Sequence, residues 1–427
     1  MPYLARIAGA AALASMGIAL WYSTVLARAD QYFREATPAS VQRAVEIAPR
    51  NTEYLALRAL QLDYDGADST ALTRKIAALN PYSSAPRIKL GLAAEVRGDS
   101  AGAEKWLLDA AGADHQFEPR WTLANFYFRG EKPEQFWKWI RLALDVSYGD
   151  RAPAFDLCWR VSTDAGEILN RAIPGRHEVT QAYLVYLSKT NRLGAILAVA
   201  RRLAAYHDDS DLPILFAACD QLLEAHHPSA LDLWQLTGQS APGNIFNGDF
   251  ATTPLNHGFD WRPVISPGVA HVDLTAPSGH RIVFTGQQPE SCSLLRQTLN
   301  VAGPYVLRWE SRTSGIKSPS GLEWRVAGQH AALPPSDDWT TAELAFTPRE
   351  SFTDLELVYQ RPLGEPRAEG NIELRHVLLS PMRQRLSHRS VTAWFDVVGQ
   401  PVPPANRRTQ PLFTQTRQRG PSPVAAQ

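Results

Sequence analysis

The spacing of apolar residues divides the chain into three stretches with different periods. From Ile7 to Leu26 the sequence holds no charged residue. Between Ala36 and about Gly238 apolar residues recur mostly every three or four positions, which indicates helices with one buried face. After Gly238 the period becomes two, which is typical of strands that bury one face. The pattern predicts a multidomain protein, first α and then β, that begins with an apolar helix.

The apolar stretch at the N-terminus has the length of a membrane span. About 20 apolar residues are what a helix needs to cross a bilayer. We predict that residues 1–28 form a single anchor in a bacterial inner membrane, with the bulk of the chain periplasmic. Two alternatives remain open. Ala27-Arg28-Ala29 has the form of a signal-peptide cleavage site, which predicts secretion after cleavage near Ala29, and the stretch also fits a buried helix.

The helical region contains a repeating interval. Gly66, Gly98 and Gly130 are each 32 residues apart, and small residues such as Ala59 and Gly91 keep the same step. A period of this size is typical of a solenoid, because single helix pairs cannot bury their apolar faces alone. Short side chains let antiparallel helices approach closely, and Gly supplies positive φ in the turns. We predict an α-solenoid of helix-turn-helix repeats over residues 36–238.

One unit of this region, residues 85–115, resembles a tetratricopeptide repeat. Leu90-Gly91 matches the Leu-Gly step of that family, and Ala103 and Ala110 hold its small positions. The resemblance covers three units, roughly residues 50–150, and departs from the family in length, which is usually about 34 residues. It implies a curved surface that binds peptides or protein partners, with no chemistry attached.

The segment PEQFWKWIRLAL supplies candidate partner contacts. Trp139 shares one face of the predicted helix with Phe136, whereas Trp137 shares another with Arg141. Trp and Arg are enriched at binding hot spots, so we predict that Trp137 and Arg141, with Tyr127, bind a protein partner. The alternative is that tryptophans of the region only fill the core between helices, as we expect for Trp106, Trp121, Trp139 and Trp159.

Alternation in the C-terminal half predicts an antiparallel β-sandwich over residues 243–380. Leu322, Trp324 and Val326 alternate with Glu323 and Arg325, and similar segments recur at short intervals between Pro, Gly, Ser and Asp turns. About nine or ten strands of this kind read as a sandwich. We assign the apolar side of the alternation to the core, including Trp309, Trp324 and Tyr359.

The start of the sandwich resembles jelly-roll carbohydrate-binding modules and galactose-binding-like domains. The resemblance rests on Asn247–Phe250, Gly258, Trp261 and the last-strand sequence NIELRHVLLS. It implies a first strand at NGDF and a saccharide held by aromatic stacking and a few polar groups. The ligand-binding candidates are Trp261, Arg308, Glu310, Glu323, Arg325 and Gln360. The alternative for the polar candidates is a solvated face with cross-strand charge pairs.

The sequence contains little that points to catalysis or to metals. Many modules of the resembled kind hold a structural calcium, but this chain places Ala251 and Arg375 or His376 at the corresponding positions, so we predict none. Basic and acidic residues are equal at 43 each, which gives no general attraction to nucleic acid. No catalytic or phosphate-binding motif is present. We therefore predict no catalytic residues, no metal and no cofactor.

The remaining features complete the functional hypothesis. Cys158, Cys219 and Cys292 fit neither a zinc nor a disulfide pattern, and we expect all three to be buried. Residues 381–427 are rich in Arg and predict a basic flexible tail. We expect a non-catalytic membrane-anchored scaffold whose repeats bind a protein and whose sandwich binds saccharide or protein, by resemblance in cell-envelope polysaccharide synthesis or export. The alternative is a glycan-active hydrolase or lyase with the sandwich as active domain.

Overall fold

The computed structural model describes residues 2–240 and 245–382, with side chains from Ile7 onward. The predicted basic tail, apart from its first two residues, lies outside the described residues. In the described chain the helical half consists of α1 (Pro2–Glu35), α2 (Pro38–Ile47), α3 (Thr52–Tyr64), α4 (Thr70–Leu79), α5 (Ala85–Val96), α6 (Ser100–Ala113), α7 (Phe117–Arg129), α8 (Pro133–Asp145), α9 (Ala152–Val161), α10 (Ala165–Arg171), α11 (His177–Lys189), α12 (Leu193–Ala204), α13 (Leu212–Glu224) and α14 (Ser229–Leu236).

Helices pack as hairpins in the pairs α1–α2, α3–α4, α5–α6, α7–α8, α11–α12 and α13–α14, and successive hairpins in residues 38–145 stack on one another, as the 32-residue interval predicts. Polar side chains begin several of the helices: Asn51 accepts a hydrogen bond from the N–H of Glu53 at 2.9 Å. The small position at Gly91 is needed for close packing, because a Cβ there would lie 2.7 Å from the side chain of Leu107 on α6. The α-solenoid prediction is confirmed.

The turns inside the hairpins follow the glycine prediction in two of three cases. Gly66 and Gly98 have φ of 71° and 81°, in the left-handed region that Gly tolerates best. Gly130 instead has φ of −82°, and the next residue, Glu131, takes the left-handed conformation with φ of 51°. The positive-φ position therefore shifts by one residue in the third turn, and the prediction for Gly130 is wrong.

The first helix is continuous from the apolar stretch into the packed array. Helix α1 is long and apolar enough to cross a membrane, and its apolar portion is not buried by the protein. Further along the same helix, Ala29 is fully buried against Ala44 of α2 and Tyr54 of α3. Phe33 also contacts Tyr54, with ring centroids 4.8 Å apart. No linker therefore separates the apolar helix from the first hairpin.

The C-terminal half consists of two five-stranded antiparallel sheets, which confirms the predicted α-then-β fold with a sandwich-like end. Sheet A has the order β1-β4-β9-β6-β7 and sheet B has the order β2-β3-β10-β5-β8. The strands are β1 (Arg262–Pro263), β2 (Val269–Thr275), β3 (Ser278–Thr285), β4 (Ser291–Asn300), β5 (Tyr305–Ser314), β6 (Leu322–Val326), β7 (Gln329–Ala332), β8 (Thr340–Phe346), β9 (Phe352–Gln360) and β10 (Glu369–Pro381).

The predicted first strand at NGDF is wrong. Residues 245–261 form turns and irregular backbone, and residues 243–244 lie outside the described residues. Asn247 and Phe250 both have φ of 51°, a left-handed conformation outside the range of regular strands. The Asn247 side chain also bonds to the backbone of Thr252, which closes a local turn. β7 was not predicted, because its sequence QHAA does not alternate.

Inward aromatic residues from both sheets form the sandwich core, as the alternation predicts. Trp309 of β5 and Trp324 of β6 are buried, with ring centroids 6.2 Å apart, and Tyr359 of β9 is fully buried. Of the three cysteines, Cys158 and Cys219 are buried and burial raises the pKa of Cys219 to about 12. Cys292 is only half-buried, so the prediction that all three are buried is wrong for this one.

The last helical hairpin and the sandwich share a core. Trp234 of α14 packs against Phe246 and Phe259, at ring-centroid distances of 5.2 and 6.0 Å. Phe259 in turn contacts Phe352 of β9, at 5.7 Å. Trp234, Phe259 and Phe352 belong to the same buried cluster as the helical array, and the partly buried Phe246 packs against that cluster. The sequence change near residue 240 therefore does not separate the helices from the strands in space.

Candidate binding surfaces

The predicted partner contacts on the helical array are not exposed. Trp137 is only 3% exposed and packs edge-on against Phe136, at a centroid distance of 5.0 Å. Tyr127 is buried as well, and its hydroxyl donates to Glu104 Oε1 at 2.8 Å. Burial and this hydrogen bond raise the pKa of Tyr127. Both rings stabilise the array rather than presenting a surface to a partner.

Arg141 has an internal structural role as well. Its guanidinium donates to the backbone carbonyls of Asn170 and Ile173, at 2.9 and 3.0 Å. Those carbonyls lie at the C-terminal end of α10, where backbone acceptors lack partners within the helix. On α8 the predicted core face is buried as expected, since Phe136 is fully buried and the half-exposed Trp139 packs against the core, but Trp137 is buried as well. Two neighbouring hairpins flank α8, so more of the circumference of this helix is buried than the one face that the sequence pattern indicates.

An exposed apolar patch does exist on the array, at positions that the sequence analysis missed. Leu60 and Tyr64 on α3 are 62% and 92% exposed, and Leu92 and Val96 on α5 are 38% and 89% exposed. The pair on α5 repeats the pair on α3 after 32 residues. We call these four residues the α3/α5 patch. The repeat interval was the signal that could have identified it.

Ion pairs border the α3/α5 patch and link successive helices. Asp63 of α3 pairs with Lys89 of α5, and Glu95 of α5 accepts from Arg129 of α7 at 2.7 Å. A cavity of about 350 Å³ lies between α3, α4 and α5, with Ala56, Ala59 and Ile76 among its lining residues. Exposed apolar side chains with a charged border are typical of protein-binding surfaces.

The polar ligand candidates of the sandwich divide between two opposite faces. Arg308 and Glu310 point outward from sheet B, whereas Glu323, Arg325 and Gln360 point outward from sheet A. Outward residues of two packed sheets face away from each other. The prediction of one ligand face from these residues is therefore wrong. Alternation distinguishes inside from outside but does not reveal to which sheet a strand belongs.

Trp261 is not available for stacking on a ligand. Its side chain is fully buried between Phe250 and Trp324, at centroid distances of 5.3 and 6.0 Å. Its indole N–H donates to the carbonyl of Asn247 at 3.0 Å. The prediction that Trp261 binds a ligand is corrected: the ring forms part of the core under the irregular segment before β1.

The outer face of sheet B is a network of charge pairs. Glu373 is almost fully buried and accepts from Arg281 at 2.6 Å and from Arg312 at 2.7 Å. Burial raises the pKa of Glu373, but the two guanidinium groups outweigh burial and hold it below its usual value. Arg375 pairs with Glu310 at 2.7 Å. The residues of this face satisfy one another, as the cross-strand alternative predicts.

The outer face of sheet A borders a wide cleft. A cleft of about 900 Å³ opens at the end of β6, and Glu323, Gln360 and Leu363 lie in its lining. Arg325 donates to Glu323 and, at 2.9 Å, to Gln360, so it fixes both side chains at the cleft. Much of the remaining wall is formed by four prolines, Pro319, Pro334, Pro335 and Pro362. Among the residues that the structure describes, no aromatic residue lines the cleft.

Several acidic and histidine side chains form local hydrogen bonds within the fold. Asp211 is buried and accepts from the ring of His177 at 2.8 Å, while Asp208 accepts from the N–H of Ser210. At the position where the resembled modules hold calcium, the ring of His376 contacts Asp249 at 2.7 Å. No group of three or more His, Cys, Asp or Glu residues that could hold a metal occurs in the described part of the chain.

Comparisons with known proteins give similarities of structure only. No protein-family model matches the chain, and no curated protein sequence matches it. The structure is similar to that of YrrB, described as a TPR protein with an unusual peptide-binding site, at 12% identity over 47% of this chain and 92% of that chain, with a TM-score of 0.25. It is also similar to a structure described as "CBM4 structure and function", at 15% identity over 32% of this chain and 99% of that chain, with a TM-score of 0.25.

Proposed function

We propose that this protein is a non-catalytic, membrane-anchored scaffold. Its two binding modules are the helical array, residues 36–238, and the sandwich, residues 243–380, and its anchor lies in residues 1–28. The observation that carries the proposal is the core shared by Trp234, Phe259 and Phe352. A shared core holds the two modules in one body, so ligands on each are kept at a fixed separation, which is what a scaffold requires.

The array supplies the protein-binding site of the proposed scaffold. The α3/α5 patch supports this assignment because it is apolar, exposed and bordered by ion pairs. It replaces Trp137, Arg141 and Tyr127, which are engaged in internal contacts. The setting that we propose is a cell-envelope assembly, such as polysaccharide synthesis or export, in which an anchored scaffold holds components at the membrane.

A retained anchor is favoured over a cleaved signal peptide. Cleavage after Ala29 would cut α1 inside the segment that packs on α2 and α3. Ala29 is fully buried in that cluster, so its removal would uncover Ala44 of α2 and Tyr54 of α3. We therefore propose that the span is retained in the mature protein and that the array lies on the periplasmic side of an inner membrane.

The cleft beside Glu323 is the proposed second site. A saccharide there would be held by hydrogen bonds from Gln360 and its neighbours, without the aromatic stacking that sugar sites generally use. The prolines and Leu363 offer apolar contacts that suit a peptide segment. We therefore favour a protein ligand for the cleft and keep saccharide as the other outcome of the test.

The positions of two candidate carboxylates, Glu310 and Glu323, argue against the enzymatic alternative. Glycoside hydrolases use two carboxylates about 5 to 10 Å apart. Glu310 and Glu323 point outward from opposite sheets, with the whole core between them. Glu310 is also engaged by Arg375, and Glu323 by Arg325. A reaction that depends on both residues acting on one bond is incompatible with this geometry.

The proposal is tested with the full-length protein purified from its native membrane after cross-linking. We expect a protein partner that is lost in Leu92→Asp and retained in Leu108→Asp, a matched control on α6 that leaves the α3/α5 patch intact. Incubation with cell-envelope glycans should give no product. Glycan turnover, or a partner captured equally by both variants, would overturn the scaffold proposal.

The cleft is tested separately through Arg325→Ala. Loss of Arg325 frees Glu323 and Gln360 from their fixed positions, so binding of the cleft ligand should weaken. A glycan screen and a peptide screen on the same variant distinguish the two ligand classes. The control is Arg308→Ala on the outer face of sheet B, which should bind like the wild type.

A further inference from the structure

The first hairpin, α1 and α2, places one end of the helical array level with the end of the apolar stretch Ile7–Leu26. Ala29 lies six residues before Glu35, the last residue of α1, and Ala44 lies six residues after Pro38, the first residue of α2. In an antiparallel hairpin, residues equally far from the turn are level with each other. The observed contact of Ala29 with Ala44 agrees with this counting.

The same counting shows that the C-terminal end of α2 is level with the last residues of the apolar stretch. Ala48, ten residues after Pro38, is level with Val25, ten residues before Glu35. Pro49 and Arg50 continue the turn between α2 and α3 and are both exposed. Because α1 is one uninterrupted helix, this turn has a fixed height relative to the last residues of the apolar stretch.

The chemistry at that level is typical of a membrane–water interface. Trp21 and Tyr22 are exposed on α1, and such rings are enriched where a span leaves the hydrocarbon. The turn between α4 and α5 is on the same end of the array and exposes Tyr82. Three arginines and two glutamates with solvent access complete this end: Arg28, Arg43, Arg50, Glu46 and Glu53.

We infer that the α2–α3 turn, residues 48–51, and the flanking arginines form a surface that contacts lipid headgroups. The inference rests on the proposed anchor, because α1 must span the membrane for the turn to reach it. The cationic side chains of Arg28 and Arg50 suit the phosphate groups of the headgroups. The array then has a fixed orientation relative to the membrane, which a flexible linker would not give.

The test measures the distance of two turns from the bilayer in the full-length protein. A fluorescent label is attached at Pro49→Cys, or in a separate protein at Asp65→Cys, in a Cys292→Ser background reconstituted into vesicles. Asp65 follows the other end of α3, which is about 20 Å long. The vesicles contain a lipid whose headgroup carries a nitroxide quencher. Arg50→Cys replaces Pro49→Cys if that variant does not fold.

We expect loss of fluorescence for the label at residue 49 and unchanged fluorescence for the label at residue 65. Equal quenching of the two labels, with the protein co-sedimenting with the vesicles, would overturn the headgroup contact while leaving the anchor in place. Protein that does not co-sediment with the vesicles would overturn the anchor and, with it, this inference. The two failures are therefore distinguishable.

Discussion

Asp220 of α13 accepts a hydrogen bond from the guanidinium of Arg262 on β1, with Nη2 and Oδ1 2.7 Å apart. The same carboxylate accepts from the ring of His257 and from the N–H of Gly258, each at 2.6 Å. One side chain of the array thus binds three donors of the segment that leads into the sandwich. Asp220 and the shared aromatic core together join the two halves.

Asp220→Ala is expected to weaken this junction. The substitution leaves Arg262, whose side chain is mostly buried, without its carboxylate partner, which should cost about 2 kcal/mol of unfolding free energy. Thermal unfolding measures the loss of stability, and limited proteolysis measures whether cleavage after residue 236 becomes faster. Asp232→Ala on α14 is the control, because its pair with Arg201 is exposed and contributes little. Equal stability of the two variants would contradict the assigned role of Asp220.

Gly91→Ala and Gly112→Ala are expected to change stability in opposite directions. A Cβ at Gly91 would meet Leu107 at 2.7 Å, so the hairpin must open and the variant should lose about 1 to 3 kcal/mol. A Cβ at Gly112 meets nothing within 4 Å, so the alanine should gain about 0.5 to 1 kcal/mol from lower backbone entropy. Chemical denaturation of both variants checks the sign.

Glu373→Gln is expected to flatten the acid side of the stability profile. The pKa of Glu373 is lower in the folded protein than in the unfolded chain, so its contribution is present above about pH 4.5 and disappears as the pH falls further. The wild type should therefore lose stability below that pH more steeply than the variant. At neutral pH the variant should be less stable by about 2 kcal/mol, since Arg281 and Arg312 lose a charged acceptor.

Unfolding midpoints between pH 3 and 7 measure this effect. Glu343→Gln serves as the control, because Glu343 forms an exposed pair with Arg308 on the same sheet face. If Glu373→Gln and the wild type lost stability in parallel as the pH fell, the two arginines would not be the source of the shift.

Trp137→Ala is expected to destabilise the array without a specific effect on partner binding. Removing a buried indole costs about 3 to 5 kcal/mol through lost burial and the cavity left behind. Trp139→Ala, on a half-exposed ring two residues away, should cost about 1 kcal/mol. Thermal unfolding distinguishes the two. A stable Trp137→Ala protein that had lost its partner would restore the original prediction for this residue.

The order of the elements could be predicted from the sequence because the spacing of apolar residues within each segment indicates whether it forms a helix or a strand. The 32-residue interval predicted the hairpins, and the small side chain at Gly91 has the packing role that the interval implied. The alternation of Leu322, Trp324 and Val326 predicted a strand there, and β6 is observed as Leu322–Val326. Both signals depend on neighbours within one element or one repeat, which the sequence contains directly.

The site residues chosen from the sequence were misassigned, because side-chain exposure depends on which elements become neighbours. Trp137 and Trp261 are aromatic residues in promising local contexts, yet other elements cover both of them. Glu310 and Glu323 share an alternation pattern but belong to different sheets, since strand order in a sandwich does not follow chain order. Side-chain burial and proximity are properties of the assembled layers.

By itself the sequence determined an apolar helix, a stack of helical hairpins and a sandwich of short strands, because hydrophobic periodicity follows from the geometry of each element. Only the tertiary structure decided that α1 continues into the first hairpin and that Trp234 joins the last hairpin to the sandwich. Those contacts connect residues far apart in the chain. They form because each element must bury its remaining apolar surface against whichever element the fold places beside it.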